Sequence, residues 1–222
     1  VGVGLIGGSL GLALKRFGIG REIVGVSRPE TVEAAKKMGA IDTGFDYDQL
    51  KAGVEESELV ILSTPISRIL ELLPEVMAGV SEGTLITDVG STKREIVAVA
   101  SSLKREGVIF VGGHPMAGSE QRGVTAADPF LFENAIYVVT PEDDVPELWV
   151  NRLVNLVGRL GARPMRITAQ AHDRVAAAVS HLPQLMATAL VGMIGRLHEQ
   201  DGVPIEMAAG GFRDLTRIAS SP

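Results

Sequence analysis

Five short runs rich in β-branched residues, at 23–26, 59–62, 84–87, 108–111 and 136–139, recur between longer amphipathic stretches. Apolar runs of that length read as strands buried on both faces, and strands separated by helices pair in parallel because each return crossing needs a helix's worth of chain. Residues 9–17, 30–38, 68–77 and 93–104 carry apolar side chains at three- and four-residue spacing, with Gly18, Gly39 and Gly79 where a left-handed helix stop would fall. The expectation is an α/β fold built on a doubly wound, mostly parallel sheet.

Gly2-Val3-Gly4-Leu5-Ile6-Gly7 fits the spacing G-x-G-x-x-G. In a dinucleotide-binding turn the first glycine makes the bend, the second admits a pyrophosphate and the third lets helix and strand approach, while the helix that follows aims free N–H groups at phosphate. The pattern alone is common. Here it opens an amphipathic helix and is followed by a strand about twenty residues on, the context a Rossmann domain requires. At the tip of that strand a carboxylate would accept from a ribose 2′-hydroxyl, but this chain has Ser27-Arg28. A hydroxyl beside a guanidinium favours a 2′-phosphate, so NADP is expected ahead of NAD. The plainer reading, compatible with it, makes Ser27 the cap of the next helix in the box Ser27-Arg28-Pro29-Glu30.

Beyond Pro141 residues 146–160 read as a helix, 163–167 as one more strand, and 168–197 as a long stretch of Ala, Val, Leu and Met apolar on more than one face. Pro183 interrupts it, which demands a kink or a break. The 25 residues after Leu197 are too few to cover such a helix. The boundary is therefore placed near Ile167. A dinucleotide-binding domain spans 1–167, and a smaller all-helical substrate and dimerisation domain spans 168–222, completed by a partner chain or by further residues. With only Val1 before the glycine loop and a motif reaching Pro222, the sequence reads as a piece of a longer protein, its first strand and its helical domain both cut.

Twenty-one basic against 27 acidic residues gives 21 − 27 = −6, without the basic footprint that a nucleic-acid backbone requires. No cysteine is present, which excludes disulfides, thiolate metal sites and a cysteine nucleophile. With no leader or apolar span at the start, a cytoplasmic protein with a small-molecule substrate, no membrane and no metal is expected.

Three segments are candidates for chemistry: Asp88-Val89-Gly90-Ser91-Thr92-Lys93, the run 112–120 around His114, and Ser180-His181-Leu182-Pro183-Gln184. The first two follow strands, where open α/β sheets place their ligands. His114, between glycines and a proline, reads as a loop histidine facing the crevice, and imidazole alone titrates near neutral pH unaided. Against that, strand-end histidines are often turn residues, His181 reads by default as a core histidine, and Asp88 as the cap of a helix starting near Ser91. His172 lies nine residues before His181, on the opposite helix face, so His172-Asp173 reads as a surface or capping pair.

The combination GVGLIGGSL, STP at residues 63–65, DVGSTK, GGHPMAGSEQRG, SHLPQ and GGFRDLTRIASSP, in this order, resembles the prephenate/arogenate dehydrogenase family over essentially the whole chain. The resemblance implies NAD(P)-dependent oxidative decarboxylation of prephenate in tyrosine biosynthesis, or of arogenate, by a homodimer. It implies that His114 accepts the hydrogen bond of the substrate's ring hydroxyl and that Ser91 orients that hydroxyl. Arg217 matches an arginine that binds a substrate carboxylate, His181 a substrate-contacting histidine, and Ser119 with Glu120 residues that shape the pocket. Gly210 and Gly211 match a turn that approaches the neighbouring subunit's site. Ser63, Thr64 and Pro65 join Gly2, Gly4, Leu5, Ile6 and Gly7 around the dinucleotide. Two departures stand out: Ser27 replaces a frequent acid, and the family usually continues with a tryptophan-containing helix and a dimerisation bundle, whereas the sole tryptophan here, Trp149, lies elsewhere. A β-hydroxyacid dehydrogenase needs a lysine in the long helix after the sheet, and 168–197 contains none. A dinucleotide-binding fragment or regulatory homologue without turnover is the other alternative.

Overall fold

The computed structural model describes residues 1–202 and 205–220. They fall into two compact units, Val1–Asp173 and Arg174–Pro222.

In the first unit, β1 (Val24–Val26) pairs in parallel with β2 (Thr43–Phe45), and β3 (Leu59–Leu62), β4 (Leu85–Asp88) and β5 (Ile109–Phe110) form a second parallel set. Residues 1–3 join the two. Val1 N donates to Ile61 O at 2.8 Å, its carbonyl accepts from Ser63 N at 2.8 Å, and Gly2 N donates to Val26 O at 2.7 Å. Counting that segment as the first strand gives the spatial order 3-2-1-4-5-6 of a Rossmann sheet, whose switch point lies at the glycine loop. The chain runs on from β5 into β6 (Gly112–Pro115), antiparallel to β7 (Ile136–Thr140), which pairs in parallel with β8 (Arg163–Arg166).

Helices α1 (Leu5–Arg16), α2 (Pro29–Lys37), α3 (Leu50–Val54), α4 (Ile66–Gly79), α5 (Arg94–Ser102) and α6 (Glu147–Arg159) connect or cover the strands. One core packs Ile69, Leu72, Leu73 and Val76 of α4 and Ile96 of α5 on Leu62 and Ile86 of the sheet. A second packs Leu10 and Ala13 of α1 with Val150, Leu153 and Val157 of α6 on Tyr137 and Val139. Each such aliphatic side chain taken from water contributes about 1.5–3 kcal/mol, which is what holds both helical layers to the sheet.

The expected strands and helices are present, with informative differences. β2, three residues with a central glycine, carries too little apolar signal to be read, and β6 hides in a glycine- and proline-rich stretch. Gly18 and Gly39 are left-handed helix stops (φ +61° and +74°). Gly79 instead ends α4 in ordinary helical geometry, and the chain leaves through extended Val80. β8 is exposed along its whole length, as an edge strand can be.

Beyond α7 (Ala169–Ala176), the proline that was expected to kink or break the long helix is absorbed differently. A π-helical turn, Ala177–His181, stands just before Pro183 and leads into α8 (Leu182–Asp201) without a non-helical residue between them, the widened turn accommodating the N–H that proline lacks. Gly202 (φ +63°) ends α8, and α9 (Gly210–Thr216) follows. On α8 Ala187 is buried, whereas Leu182, Leu185, Met186, Val191 and Met193 are 43–67% exposed. The run Ala169–Asp201 is, by length and composition, apolar enough to cross a membrane.

Candidate active site

The glycine loop has the shape a dinucleotide needs. Gly2 sits at φ +83°, and a Cβ there would lie 2.6 Å from Thr64 Cγ2 and 2.8 Å from the Ser63 carbonyl carbon. A Cβ on Gly7 would meet Gly2 O at 2.1 Å, so neither position admits another residue without moving the backbone. Gly4, by contrast, has open space around its Cβ direction. It is the helix N-cap without any side-chain cap, so the N–H groups of Leu5, Ile6 and Gly7 have no carbonyl a turn earlier to bond. Thr64 Oγ1, on the β3 side of the loop, is buried without a hydrogen-bond partner among the described residues. Open approach, unsatisfied amides and an orphaned hydroxyl together fit a pyrophosphate group. Pro65, at the N-cap of α4, closes this edge.

Ser27 follows β1 and is buried, its amide donating to Phe45 O at 3.1 Å. The capping role expected for it is not what the structure shows: the N-cap of α2 is Arg28, and no side chain caps that helix. Proline at the first helical position sets the start one residue later than a capping box needs. Arg28 is exposed, with Nε 3.5 Å from Glu30 Oε1.

Asp88, read as a helix cap, is instead completely buried at the end of β4. Its carboxylate accepts from Gly90 N at 2.8 Å, from Gly113 N at 3.1 Å and from the buried Lys93 ammonium, which also donates to Gly113 O at 2.7 Å. Burial drives Asp88 up and Lys93 down, and the attraction between them opposes both shifts. One carboxylate thus ties down the glycine before Ser91's exposed turn and the glycine before His114.

His114 is a strand residue rather than a loop one, paired with Val138 across β6 and β7. Its Nδ1 lies 2.8 Å from His172 Nε2, and His172 Nδ1 lies 2.7 Å from Asp173 Oδ1. His172 is 2% exposed, so the surface reading fails for it. Capping holds for Asp173, across space: its carboxylate accepts from Lys93 N at 2.7 Å and Arg94 N at 3.0 Å, at the start of α5. Burial would raise the Asp173 pKa, but the hydrogen bonds from His172 and those two amides outweigh it and hold the carboxyl low. An adjacent His-Asp pair in the helix that follows the last strand was the only sequence signal for these two residues.

Ser119 and Glu120 lie in the loop after β6, with Ser119 Oγ accepting from Gln121 N at 3.2 Å. In the second unit, His181 closes the π-helical turn and Arg217 is an exposed residue following α9. Gly210 and Gly211 open α9 instead of forming a turn, because extended Ala209 already makes the change of direction. Ser221 and Pro222, the end of the GGFRDLTRIASSP motif, lie outside the described residues. Among the described residues no cluster of three potential metal ligands occurs.

Fold and site together define a Rossmann-type dinucleotide-binding domain with a buried polar cluster beyond its switch point, followed by a helical domain. The family model for the prephenate dehydrogenase nucleotide-binding domain matches residues 10–166, and that for the prephenate dehydrogenase dimerization domain matches residues 168–222. The chain belongs to the prephenate dehydrogenase family. It is 42% identical to a prephenate dehydrogenase of Bacillus subtilis over 99% of this chain and 59% of that protein. Among solved structures it resembles prephenate dehydrogenase from Aquifex aeolicus in complex with hydroxyphenyl propionate and NAD+ (30% identity, TM-score 0.91, 100% of this chain and 77% of that one). It also resembles Synechocystis arogenate dehydrogenase (34% identity, TM-score 0.79, 98% and 76%). The chain thus spans about three fifths of its Bacillus relative's length.

Proposed function

We propose that this chain carries out the NAD(P)-dependent oxidative decarboxylation of prephenate to 4-hydroxyphenylpyruvate, as a cytoplasmic homodimer. The observation that carries the reading is the shared Asp88 carboxylate, which fixes the backbone before Ser91 and before His114 at one place beyond the dinucleotide loop. The amides of Leu5, Ile6 and Gly7 hold the pyrophosphate across Gly2 and Gly4, Ser63 and Thr64 line its edge, and Ser27 with Arg28 meet the adenosine ribose. When bound, the nicotinamide supplies the acceptor for the hydride that leaves the ring carbon bearing the hydroxyl. Ser91 orients that hydroxyl and His114 takes its hydrogen as the C–O bond gains carbonyl character. Loss of CO2 returns the bonding electrons to the ring, and the proton goes back to the phenolic oxygen. Arg217 is assigned to a substrate carboxylate, His181, Ser119 and Glu120 to substrate contacts, and Gly210 with Gly211 to the neighbouring subunit's site.

The homodimer reading rests on the dimerization-domain match and on the exposed apolar face of α8, which a second copy covers in preference to lipid. Likeness to an arogenate dehydrogenase keeps arogenate as the alternative substrate, since the two differ only in a keto or amino group on the side chain. Steady-state turnover of the full-length protein with each substrate and each cofactor tests the proposal. Prephenate with NADP is expected to be the best pair, and no turnover of either substrate would sink the reading.

Two variants refine it. Ser27→Asp should move the NADP/NAD affinity ratio toward NAD by roughly ten- to a hundredfold, the range for one charge-assisted hydrogen bond. Because Ser27 makes no cap, the substitution removes no helix hydrogen bond. Wild-type affinity higher for NAD than for NADP would assign Arg28 to Glu30 alone. Arg217→Ala should raise the substrate KM about ten- to a hundredfold with little change in kcat, since a carboxylate clamp holds ground and transition states alike. A loss in cofactor affinity with an intact substrate KM would contradict the assignment.

A further inference from the structure

We propose that His172 and Asp173 are positioning residues that fix the tautomer of His114 and raise its basicity. The proposal rests on the reading of His114 as the group that takes the hydroxyl proton. Asp173 is held ionised and can only accept, so His172 Nδ1 carries a proton toward it and neutral His172 presents a lone pair at Nε2. His114 Nδ1, 2.8 Å from that lone pair, must then be the donor. The remaining nitrogen of His114, Nε2, is left as the acceptor, the form a proton-abstracting imidazole needs. When Nε2 takes up a proton, the positive charge spreads through His172 toward Asp173, which lies two hydrogen bonds away. Asp173 serves here as the carboxylate does in a nucleophile–histidine–carboxylate triad, with a second imidazole interposed.

The anchoring of this chain is unusually complete. The Lys93 amide donates to Asp173, and the Lys93 ammonium donates to the carbonyl of Gly113, the residue before His114, so one residue holds both ends of the relay. Asp88 and Lys93, the charged groups packed beside this strand from β4 and the turn after it, compensate each other, and Asp173 is the carboxylate hydrogen-bonded to the imidazole pair.

Three variants of the full-length protein test the idea: His172→Phe, His172→Gln and Asp173→Asn, with folding checked by circular dichroism and kinetics followed by dinucleotide reduction. His172→Phe, which removes the acceptor, should lower kcat by about 10–100-fold with substrate KM within about twofold of wild type. The amide oxygen of His172→Gln can still accept from His114, so that variant should recover most of the rate. Losing the negative charge in Asp173→Asn disfavours the protonated relay, so the acidic limb of the kcat/KM profile should move to lower pH by about one unit. Wild-type kcat in His172→Phe, equal rates for the Phe and Gln variants, or an unmoved acidic limb in Asp173→Asn would each overturn the relay. If His172→Phe does not fold, the other two decide. Loss of activity in His114→Asn with none in His172→Phe would reject the relay alone, whereas full activity in His114→Asn would reject the underlying reading.

Discussion

His114→Asn is expected to retain its fold and its dinucleotide affinity while kcat falls by roughly 10²–10⁴, the usual contribution of a positioned acid or base. The side chain stands on β6, whose pairing with β7 runs through the backbone, and it is only partly buried and belongs to none of the hydrophobic core clusters, so the substitution disturbs no core. Asparagine also keeps an N–H near the place of Nδ1, and the contact with His172 survives. What it lacks is the titratable nitrogen on the far side of the ring. Stopped-flow measurement of hydride transfer, together with a separate dinucleotide titration, distinguishes the two effects. An unchanged rate of hydride transfer would remove His114 from the mechanism, and a loss confined to dinucleotide binding would move it to the cofactor site.

How far the sequence carried the reading depends on the range of the interaction concerned. Strand and helix identity follows from local apolar periodicity, and so the doubly wound layout and the glycine loop were legible from residues 2–7 and the runs at 23–26 and 59–62. Short elements without such periodicity were not: β2 has a glycine at its centre, and β6 is Gly-Gly-His-Pro, a composition that reads as a turn yet pairs along its whole length with β7. The same limit applies to the site. Ser91 and His114 stood in recognisable motifs, but the partner of His114 is 58 residues away and its anchor, Asp173, bonds the amides of Lys93 and Arg94 across 80 and 79 residues. Nothing local marks a histidine in a helix's first turns as buried. The opposite-face argument compared His172 only with His181; it gave no reason to look toward β6.

Lys93→Met should be among the most damaging single substitutions in the chain, lowering stability by about 3–5 kcal/mol, because it strands the fully buried Asp88 carboxylate in an apolar interior. The side-chain volume is nearly kept, so packing contributes little to the loss. Two backbone amides still solvate Asp88, which eases its isolation but cannot replace an ammonium. The variant therefore relieves its strain by protonating Asp88, and the sign follows from that: the carboxyl pKa, already raised by burial, rises further above its unfolded value. A carboxyl whose folded pKa lies above the unfolded one destabilises the fold as pH rises past the unfolded value, so Lys93→Met should be least impaired in mild acid and most impaired near neutrality. Urea denaturation at several pH values measures this directly. Adding Asp88→Asn to Lys93→Met removes the stranded charge, and the double variant should regain a large part of the stability lost by the single one, as coupled neighbours do. If the single variant unfolded at the wild-type midpoint at neutral pH, or if the second substitution made matters worse by its full independent cost, the buried pair would not be the frame that holds the turn of Ser91 to the strand of His114.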